Sequence, residues 1–234
     1  MNFKELESAQ KLRGGYYTPA PIATFLSRWA LSSGVETILE PSCGDGVFFS
    51  AIAAQIAQGH LWPTVKIDAI EIVPEEVEKA DRQADLLRKS GAEVKIVNDD
   101  FFHWMGCEGG DKKWDAIIGN PPYIRYQYFN EDQRNWAEMI FREARVPFSK
   151  RTNAWVPFVI ASVERLNPGG RLAMVIPAEL LHIPHADGLR RLLEQKMERI
   201  TVIHIRQVVF SDTLQGTVLL LAVKGGGRMG ARPL

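Results

Sequence analysis

The chain has 234 residues, of which 46% are hydrophobic and 24% charged, and its formal net charge is zero. This length and composition allow one large α/β domain with its own core and exclude an intrinsically disordered chain. The neutral balance argues mildly against strong autonomous binding of duplex DNA, which usually needs a basic excess on one face. The two cysteines, Cys43 and Cys107, suggest neither a disulfide framework nor a zinc site.

The sequence shows no signal for a membrane or for export. The longest apolar runs have strand length, which is too short to span a bilayer. The first fifteen residues, MNFKELESAQKLRGG, are charged and lack the apolar segment of a signal peptide. We therefore predict a cytoplasmic protein that does not contact a membrane.

Apolar and turn-forming residues predict the order of elements along the chain. Residues 1–33 are predicted to form a helical lead-in, interrupted by a Gly-Gly-Tyr-Tyr-Thr-Pro loop, in which Thr18-Pro19 suits a loop-to-helix junction. From Glu36 onward, short apolar strands alternate with amphipathic helices. Strands are predicted near residues 36–40, 65–71, 93–97, 114–119, 171–176, 199–205 and 216–223. Helices are predicted near residues 46–58, 74–90, 153–166 and 187–197.

This alternation predicts an α/β fold with right-handed crossovers and a mostly parallel sheet with helices on both faces. The last strand follows the sixth by a connection too short for a helix, so we predict that it is antiparallel, either in a hairpin or inserted. The domain is predicted to span residues 34–224. Residues 124–152 break the rhythm and are predicted to be a functional insertion, and residues 225–234 a flexible tail or linker.

A glycine turn follows the first strand, in the run Glu40-Pro41-Ser42-Cys43-Gly44-Asp45-Gly46. Glycines let the backbone pass close to a ligand at the carboxyl edge of a parallel sheet. The spacing is not GxGxxG and no Lys-Ser/Thr follows, which disfavours a dinucleotide site or a P-loop. The acidic residue beside the turn suits a zwitterionic, positively charged ligand better than a pyrophosphate.

Acidic residues also follow the next two strands. Glu71, before Ile72, ends strand two, where nucleotide-binding α/β folds hold ribose hydroxyls. After strand three, the run 98–102 offers an aspartate to accept from an adenine amine and a phenylalanine to cover the ring. Each feature alone has a plainer explanation, such as a common turn, a solvated strand end or, for Asp99, a turn cap. Their order at successive strand ends predicts a ligand crevice.

The fourth strand ends in Asn120-Pro121-Pro122-Tyr123. Two prolines remove two backbone donors, so the segment presents acceptors: the Asn120 side-chain oxygen and the Pro121 carbonyl. An amine conjugated to a purine is a poor nucleophile, and two acceptors on its N–H bonds free its lone pair and stabilise the charge that develops as a methyl group arrives. Tyr123 offers a face for the base and for a sulfonium. The plainer alternative is a rigid strand-ending turn.

These motifs resemble the amino-methylating DNA methyltransferases, in particular the N6-adenine-specific enzymes of restriction-modification type whose cofactor motifs precede the catalytic motif. The resemblance covers residues 11–223. It implies a class I S-adenosylmethionine-dependent, Rossmann-like catalytic domain with a seven-stranded sheet. It also implies S-adenosylmethionine as cofactor and a target adenine flipped out of the duplex, which the chemistry itself requires because a stacked base is inaccessible.

The same resemblance assigns the site residues. The catalytic residues are Asn120, Pro121, Pro122 and Tyr123. The target base is stacked between Tyr123 and Phe210, of which Phe210 has little motif around it. The cofactor-binding residues are Tyr17, Thr18, Pro19, Glu40, Pro41, Ser42, Cys43, Gly44, Gly46, Glu71, Ile72, Asp100, Phe101 and Asn120.

One part of the family pattern is missing. The target-recognition region usually follows the last strand, where this sequence has a glycine-rich tail. The chain is a fragment, or recognition lies in a partner subunit, or the insertion 124–152 carries some DNA contact through its six basic residues, which are offset by four acidic ones. The predicted partners are DNA and a recognition domain or subunit outside this chain.

Several alternatives stay open. Asn-Pro-Pro-Tyr also resembles glutamine methyltransferases that act on protein release factors and ribosomal RNA guanine methyltransferases, although the motifs at residues 13–19 and 40–46 favour the DNA enzymes. N4-cytosine methylation poses the same chemical problem, and Asn rather than Ser before the two prolines favours adenine. A cofactor-binding module, inactive without a recognition partner, is a further alternative. His182 and His185 lack a third ligand, so no metal site is predicted.

Overall fold

The computed structural model describes residues 17–31, 34–205 and 216–226. Residues 13–16 of the predicted cofactor loop and Phe210 lie outside the described residues. No helix in the described ranges combines the length and the apolar character needed to cross a membrane.

The described strands form one sheet in the order β3-β2-β1-β4-β5-β7-β6. Strands β1 to β5 pair in parallel, and β7 is inserted between β5 and β6, antiparallel to both. The predicted mixed sheet is therefore confirmed. The strands are β1 (Thr37–Glu40), β2 (Lys66–Glu71), β3 (Glu93–Asn98), β4 (Trp114–Gly119), β5 (Leu166–Pro177), β6 (Met197–His204) and β7 (Thr217–Lys224).

Seven α-helices connect the described strands or precede them. They are α1 (Ala20–Ala30), α2 (Val47–Ala57), α3 (Pro74–Lys89), α4 (Phe101–Gly106), α5 (Glu131–Glu143), α6 (Trp155–Arg165) and α7 (Asp187–Lys196). Helices α4 and α5 were not predicted from the sequence. Asp100 caps α4, and a capping box of Asn130 and Gln133 begins α5, so both helices start where a side chain satisfies free backbone N–H groups.

The helices cover both faces of the sheet. Neighbouring residues of β1 point to opposite sides, with Ile38 packing in a core with α1, α2 and α3, and Leu39 packing in a second core with α4 to α7. This arrangement buries the strands on both faces, as their near-continuous apolar sequences require. The predicted α/β architecture, with a mostly parallel sheet and helices on both faces, is confirmed. The insertion does not loop out, because its helix α5 buries Ala137, Ile140 and Phe141 in the second core.

The topology fixes where a ligand can bind. After β1 the chain moves to β2 and β3 on one side, and then crosses to β4 on the other side of β1. The carboxyl ends of β1 and β4 therefore flank a topological switch point, where open α/β sheets form their ligand crevice. The glycine turn follows β1 and the Asn-Pro-Pro-Tyr segment follows β4, so both lie at this crevice.

Candidate active site

The two glycines of the turn after β1 have different roles. Both have positive φ, 53° at Gly44 and 84° at Gly46, which L-residues rarely adopt. Gly46 precedes α2, and a Cβ there would lie 2.9 Å from the Cα of Ala80. A Cβ on Gly44 would meet no atom within 4 Å. Gly46 therefore permits close packing of α2 on α3, whereas Gly44 leaves open space at the crevice.

Glu71 ties this glycine turn to the end of β2. Its two carboxylate oxygens accept from the backbone N–H groups of Gly44 and Val73, each at 2.9 Å. The backbone N–H of Cys43 donates to the carbonyl of Ile70, also at 2.9 Å. The turn is thus held in place before any ligand arrives, and each Glu71 oxygen keeps a second lone pair for a ligand hydroxyl.

Three carboxyl groups, including that of the turn residue Asp45, cluster at the glycine turn. Glu40 is fully buried, and neither of its carboxyl oxygens has a hydrogen-bond partner. Burial, followed by the charges of Asp45 and Glu71, raises the pKa of Glu40 well above its usual value. Burial also raises the pKa values of Asp45 and Glu71. Because burying a carboxylate without a partner is costly, this cluster fits a ligand that brings positive charge.

Cys43 lies beside this cluster and is buried. Burial is the largest of the effects that raise the pKa of its thiol well above the ordinary value, and the nearby carboxyl groups add to it. A thiolate is therefore disfavoured here. Among the described residues, no group of three or more His, Cys, Asp or Glu side chains could hold a metal ion.

The remaining cofactor candidates lie at the rim of the crevice. Ile72 follows Glu71 and is 53% exposed, which leaves an apolar surface beside the end of β2. The Tyr17 hydroxyl donates to Glu76 on α3 at 2.9 Å, so the lead-in segment reaches across to the helix that follows β2. Thr18 is buried, and Pro19 is the residue immediately before α1. Tyr17 is thus linked to the acidic residues at the glycine turn through Glu76, whose charge acts on Asp45 and Glu71.

Asp100 and Phe101 make structural contacts. The Asp100 carboxylate accepts from the backbone N–H groups of Phe102 and His103, at 2.8 and 3.3 Å, and from Gln133 Nε2 at 2.7 Å. The Phe101 ring is buried and stacks on Phe158, with the centroids 4.6 Å apart. Their assignment to an adenine ring stays a prediction. The link from Gln133 to Asp100 was missed by sequence reasoning, because the spacing of Asn130 and Gln133 signals only the capping box of α5.

The reactive segment is linked to the glycine turn. Ser42 Oγ donates to the backbone carbonyl of Asn120 at 3.1 Å. The Tyr123 hydroxyl donates to Asn120 Oδ1 at 2.8 Å and approaches the carbonyl of Val175 at 3.2 Å. The Asn120 side-chain oxygen is therefore held in position at the crevice. Sequence reasoning assigned Tyr123 only a stacking role and missed this hydrogen bond, which depends on tertiary geometry.

The sheet order, the switch point and the glycine turn match the class I methyltransferase fold. The fold is similar to a Listeria monocytogenes structure described as a class I S-adenosylmethionine-dependent methyltransferase, with TM-score 0.69 and 16% identity over 92% of this chain and 61% of that chain. It is also similar to the type I restriction-modification methyltransferase subunit of Streptococcus thermophilus, with TM-score 0.70 and 18% identity over 96% of this chain and 48% of that one. The sequence pattern of the Eco57I restriction-modification methylase family matches residues 43–210, and the chain belongs to that family.

Curated relatives agree with this assignment. The chain is 28% identical over 211 residues to the type II methyltransferase M.AccI of Acinetobacter calcoaceticus, covering 88% of this chain and 36% of the relative. It is 29% identical over 199 residues to the modification methylase CviBIII of Paramecium bursaria Chlorella virus NC1A, covering 81% of this chain and 44% of the relative. The chain therefore spans less than half the length of these relatives. Fold and family imply S-adenosylmethionine as the methyl donor, and the unpartnered Glu40 carboxyl beneath an open Gly44 fits its cationic groups.

Proposed function

We propose that the chain transfers a methyl group from S-adenosylmethionine to the N6 amine of a flipped-out adenine in DNA. The observation that supports this proposal is the position of Asn120-Pro121-Pro122-Tyr123. This segment, which presents oxygen acceptors, follows β4 at the switch point and is hydrogen-bonded to the glycine turn through Ser42. An electrophile held at the glycine turn and an amine held at Asn120 would meet in one crevice.

On this proposal, the acidic half of the crevice binds the cofactor. When bound, S-adenosylmethionine supplies an electrophilic methyl group on a sulfonium centre. The carboxyl group of Glu40 compensates the positive charge of the ligand, and Gly44 leaves room for it beside the backbone. Glu71 accepts from ribose hydroxyls with the lone pairs that the turn leaves free, and Ile72 offers an apolar surface to the adenine ring.

The reactive half activates the amine. Asn120 Oδ1 and the Pro121 carbonyl accept the two N–H bonds of the exocyclic nitrogen, which moves it towards tetrahedral geometry and frees its lone pair for direct attack. The same two oxygens stabilise the positive charge that grows on the nitrogen during transfer. The surplus proton then leaves to solvent, because amide oxygens are too weakly basic to keep it.

The proposal also covers how the base and the DNA are held. A duplex hides the N6 amine, so the base must leave the stack, at a cost of a few kcal/mol. Tyr123 and Phe210 are proposed to stack on its two sides, and Phe210 lies outside the described residues. Because the chain spans less than half of the relatives above, we propose that a recognition domain or subunit outside it selects the sequence. A cytoplasmic location stays a prediction.

The test is to identify the methylated product. The complete reading frame, with any recognition subunit that it requires, is incubated with labelled S-adenosylmethionine and unmodified DNA, and the DNA is digested to nucleosides. Label in N6-methyladenine supports the proposal, and label in N4-methylcytosine overturns the choice of base. Transfer to a release-factor glutamine or to ribosomal RNA, with none to DNA, overturns the substrate. Cofactor binding without transfer to any of these overturns the activity in favour of a binding module.

A further inference from the structure

A groove with cationic walls lies between the end of the insertion and α7. The loop 144–151 forms one wall, and the start of α7 with the turn before it forms the other. Three arginines line it against one aspartate, and that aspartate, Asp187, is already paired with Arg190 and Arg191. We call it the basic groove; its polar lining includes Arg145, Ser149, Arg151, His185, Asp187 and Arg191.

Two of these arginines are not engaged in an ion pair among the described residues, so their charge is available to a ligand. Arg145 and Arg151 are exposed, and no ion pair within the described ranges of the chain involves either of them. Arginine presents a planar fork of donors that matches phosphate oxygens, and it is less tightly hydrated than lysine. The groove therefore suits an anion that carries phosphates.

The basic groove is connected to the reactive segment through the backbone. Arg125 forms an antiparallel bridge with Asn153, and the backbone N–H of Ala154 donates to the carbonyl of Ile124 at 2.7 Å. The loop that carries Arg151 is thus bonded to the residues immediately after Tyr123. Helix α7 begins beyond the carboxyl end of β5, so the second wall also lies at this edge of the sheet.

The backbone of Arg145 is strained. Its φ is 56°, and no other non-glycine residue in the described part of the chain has a positive φ. It directly follows the C-cap of α5, and the backbone N–H of Val146 closes the turn on Phe141 at 2.9 Å, an arrangement in which glycine is preferred. A glycine would relieve the strain there, so the arginine side chain is retained at a cost in stability, as happens at functional positions.

We propose that the basic groove holds phosphates of the DNA backbone that flanks the flipped nucleotide. This inference rests on the proposed function and identifies the surface with which this domain binds the DNA backbone. A net charge of zero does not contradict it, because three arginines line this groove against a single aspartate. The contact carries no sequence information, and it positions the strand so that the target base reaches Asn120.

The first test compares the double variant Arg145→Gln, Arg151→Gln with the control Arg165→Gln. Arg165 ends α6 at the opposite edge of the sheet. DNA dissociation constants are measured by fluorescence anisotropy over a series of salt concentrations. Each lost phosphate contact flattens the slope of log affinity against log salt by about 0.9, so the double variant should lose about 1.8 and bind roughly 10- to 100-fold more weakly at low salt. Its affinity for S-adenosylmethionine, and the DNA binding of the control, should stay as in the unaltered protein.

The single variant Arg145→Gly separates binding from folding. Relief of the backbone strain should raise Tm by about 2 °C, and loss of one phosphate contact should flatten the salt slope by about 0.9. If Arg145 had only a structural role, the Arg145→Gly variant would be stabilised without any loss of DNA affinity.

The outcomes separate this inference from the proposed function. If the unaltered protein methylates DNA and the arginine variants keep its DNA affinity and salt slope, the inference about the groove alone is overturned. It is also overturned if the double variant loses only its association with a recognition subunit, because the groove then takes a protein. If the unaltered protein binds S-adenosylmethionine but neither binds nor methylates DNA, the proposed function fails, and the inference that rests on it fails as well.

Discussion

The acidic residues at the glycine turn and the basic groove carry opposite charge. The carboxyl groups of Glu40, Asp45 and Glu71 cluster at the glycine turn, whereas three arginines line the groove that follows the reactive segment in the chain. The neutral segment from Asn120 to Tyr123 lies between them along the chain. A formal net charge of zero therefore conceals a segregation that complements a cationic cofactor on one side and an anionic polymer on the other.

The acidic side of the crevice, at Glu40, and the reactive side, at Asn120, differ in how their oxygen atoms are hydrogen-bonded. The Glu40 carboxyl has no hydrogen-bond partner, whereas Asn120 Oδ1 accepts from the Tyr123 hydroxyl. On the acidic side, the Glu40 carboxyl therefore has no partner until a cation binds. On the reactive side, the Tyr123 hydroxyl already holds Asn120 Oδ1 in position. We expect variants on the acidic side to change cofactor affinity and its pH dependence, and variants on the reactive side to change the rate of transfer.

The largest effect is expected from Asn120→Ala, which tests the reactive side. Removal of one of the two acceptors should lower kcat for methylation by about 10²- to 10³-fold, by analogy with the loss of one preorganised group that stabilises transition-state charge. The cofactor dissociation constant should change by only a few fold. Single-turnover methylation and isothermal titration with S-adenosylmethionine measure the two quantities separately.

Asn135→Ala is the matched control, because Asn135 is an exposed residue of α5 away from the crevice. It should leave both quantities unchanged. If the Asn120→Ala variant kept the kcat of the unaltered protein, the amine would not be activated at this segment. The expected division between variants that change the rate and variants that change cofactor affinity would then be wrong.

The next effect separates two glycines within the acidic side. Gly46→Ala combines a left-handed backbone with a Cβ only 2.9 Å from the Cα of Ala80, and it should lower the free energy of unfolding by about 2–3 kcal/mol. Gly44→Ala has the backbone strain alone and should cost about 1 kcal/mol. Its new methyl group, however, enters the open space of the crevice and should weaken cofactor binding by about tenfold or more.

Urea unfolding and isothermal titration on the two glycine variants provide the measurement. We expect Gly46→Ala to lower the free energy of unfolding more than Gly44→Ala does. Relative to its loss of stability, Gly44→Ala should weaken cofactor binding more than Gly46→Ala does. Equal destabilisation with equal affinity would mean that the open space at Gly44 is not where the cofactor binds.

Much of this arrangement could be predicted from the sequence, because its signals are local. Apolar strands that end in Gly-Asp-Gly or Asn-Pro-Pro-Tyr set the order of elements and place both motifs at the carboxyl edge. The apolar residues Ala137, Ile140 and Phe141 carry helical spacing for α5, which went unrecognised among the charges of the insertion. Helix α4 has only six residues, too few for periodicity to show.

What could not be predicted depends on tertiary contacts. Asp100 carries the expected acidic group after β3, yet in the fold it caps α4 and accepts from Gln133, thirty-three residues further along the chain. The bond from Tyr123 to Asn120 and the left-handed backbone of Arg145 arise only once the segment and the insertion are packed. No composition or spacing encodes these features, because each depends on where distant residues come to lie.

The smallest effect is expected from Glu40→Gln, and it concerns pH. Burial raises the pKa of the Glu40 carboxyl in the cofactor-free protein, and a cation bound beside it would lower that pKa. Binding then releases a proton at pH values between the lowered pKa of the bound state and the raised pKa of the free protein. In that window the affinity for S-adenosylmethionine should increase with pH, by at most about tenfold per unit. Glu40→Gln should abolish this slope and bind more weakly at high pH. Glu36→Gln, at the exposed start of the same strand region, should keep the slope.

Stability should respond with the opposite sign. The raised pKa of Glu40 in the folded state means that the folded protein holds a proton that the unfolded chain has already lost. The cofactor-free protein should therefore lose stability as pH rises from the ordinary carboxyl range to the raised value, and Glu40→Gln should remove this loss. Thermal unfolding across pH measures it. The unaltered protein and the Glu40→Gln variant could show the same pH dependence in both experiments. The Glu40 carboxyl would then not interact with the positive charge of the cofactor, and the contrast in charge with the basic groove would have no role in binding.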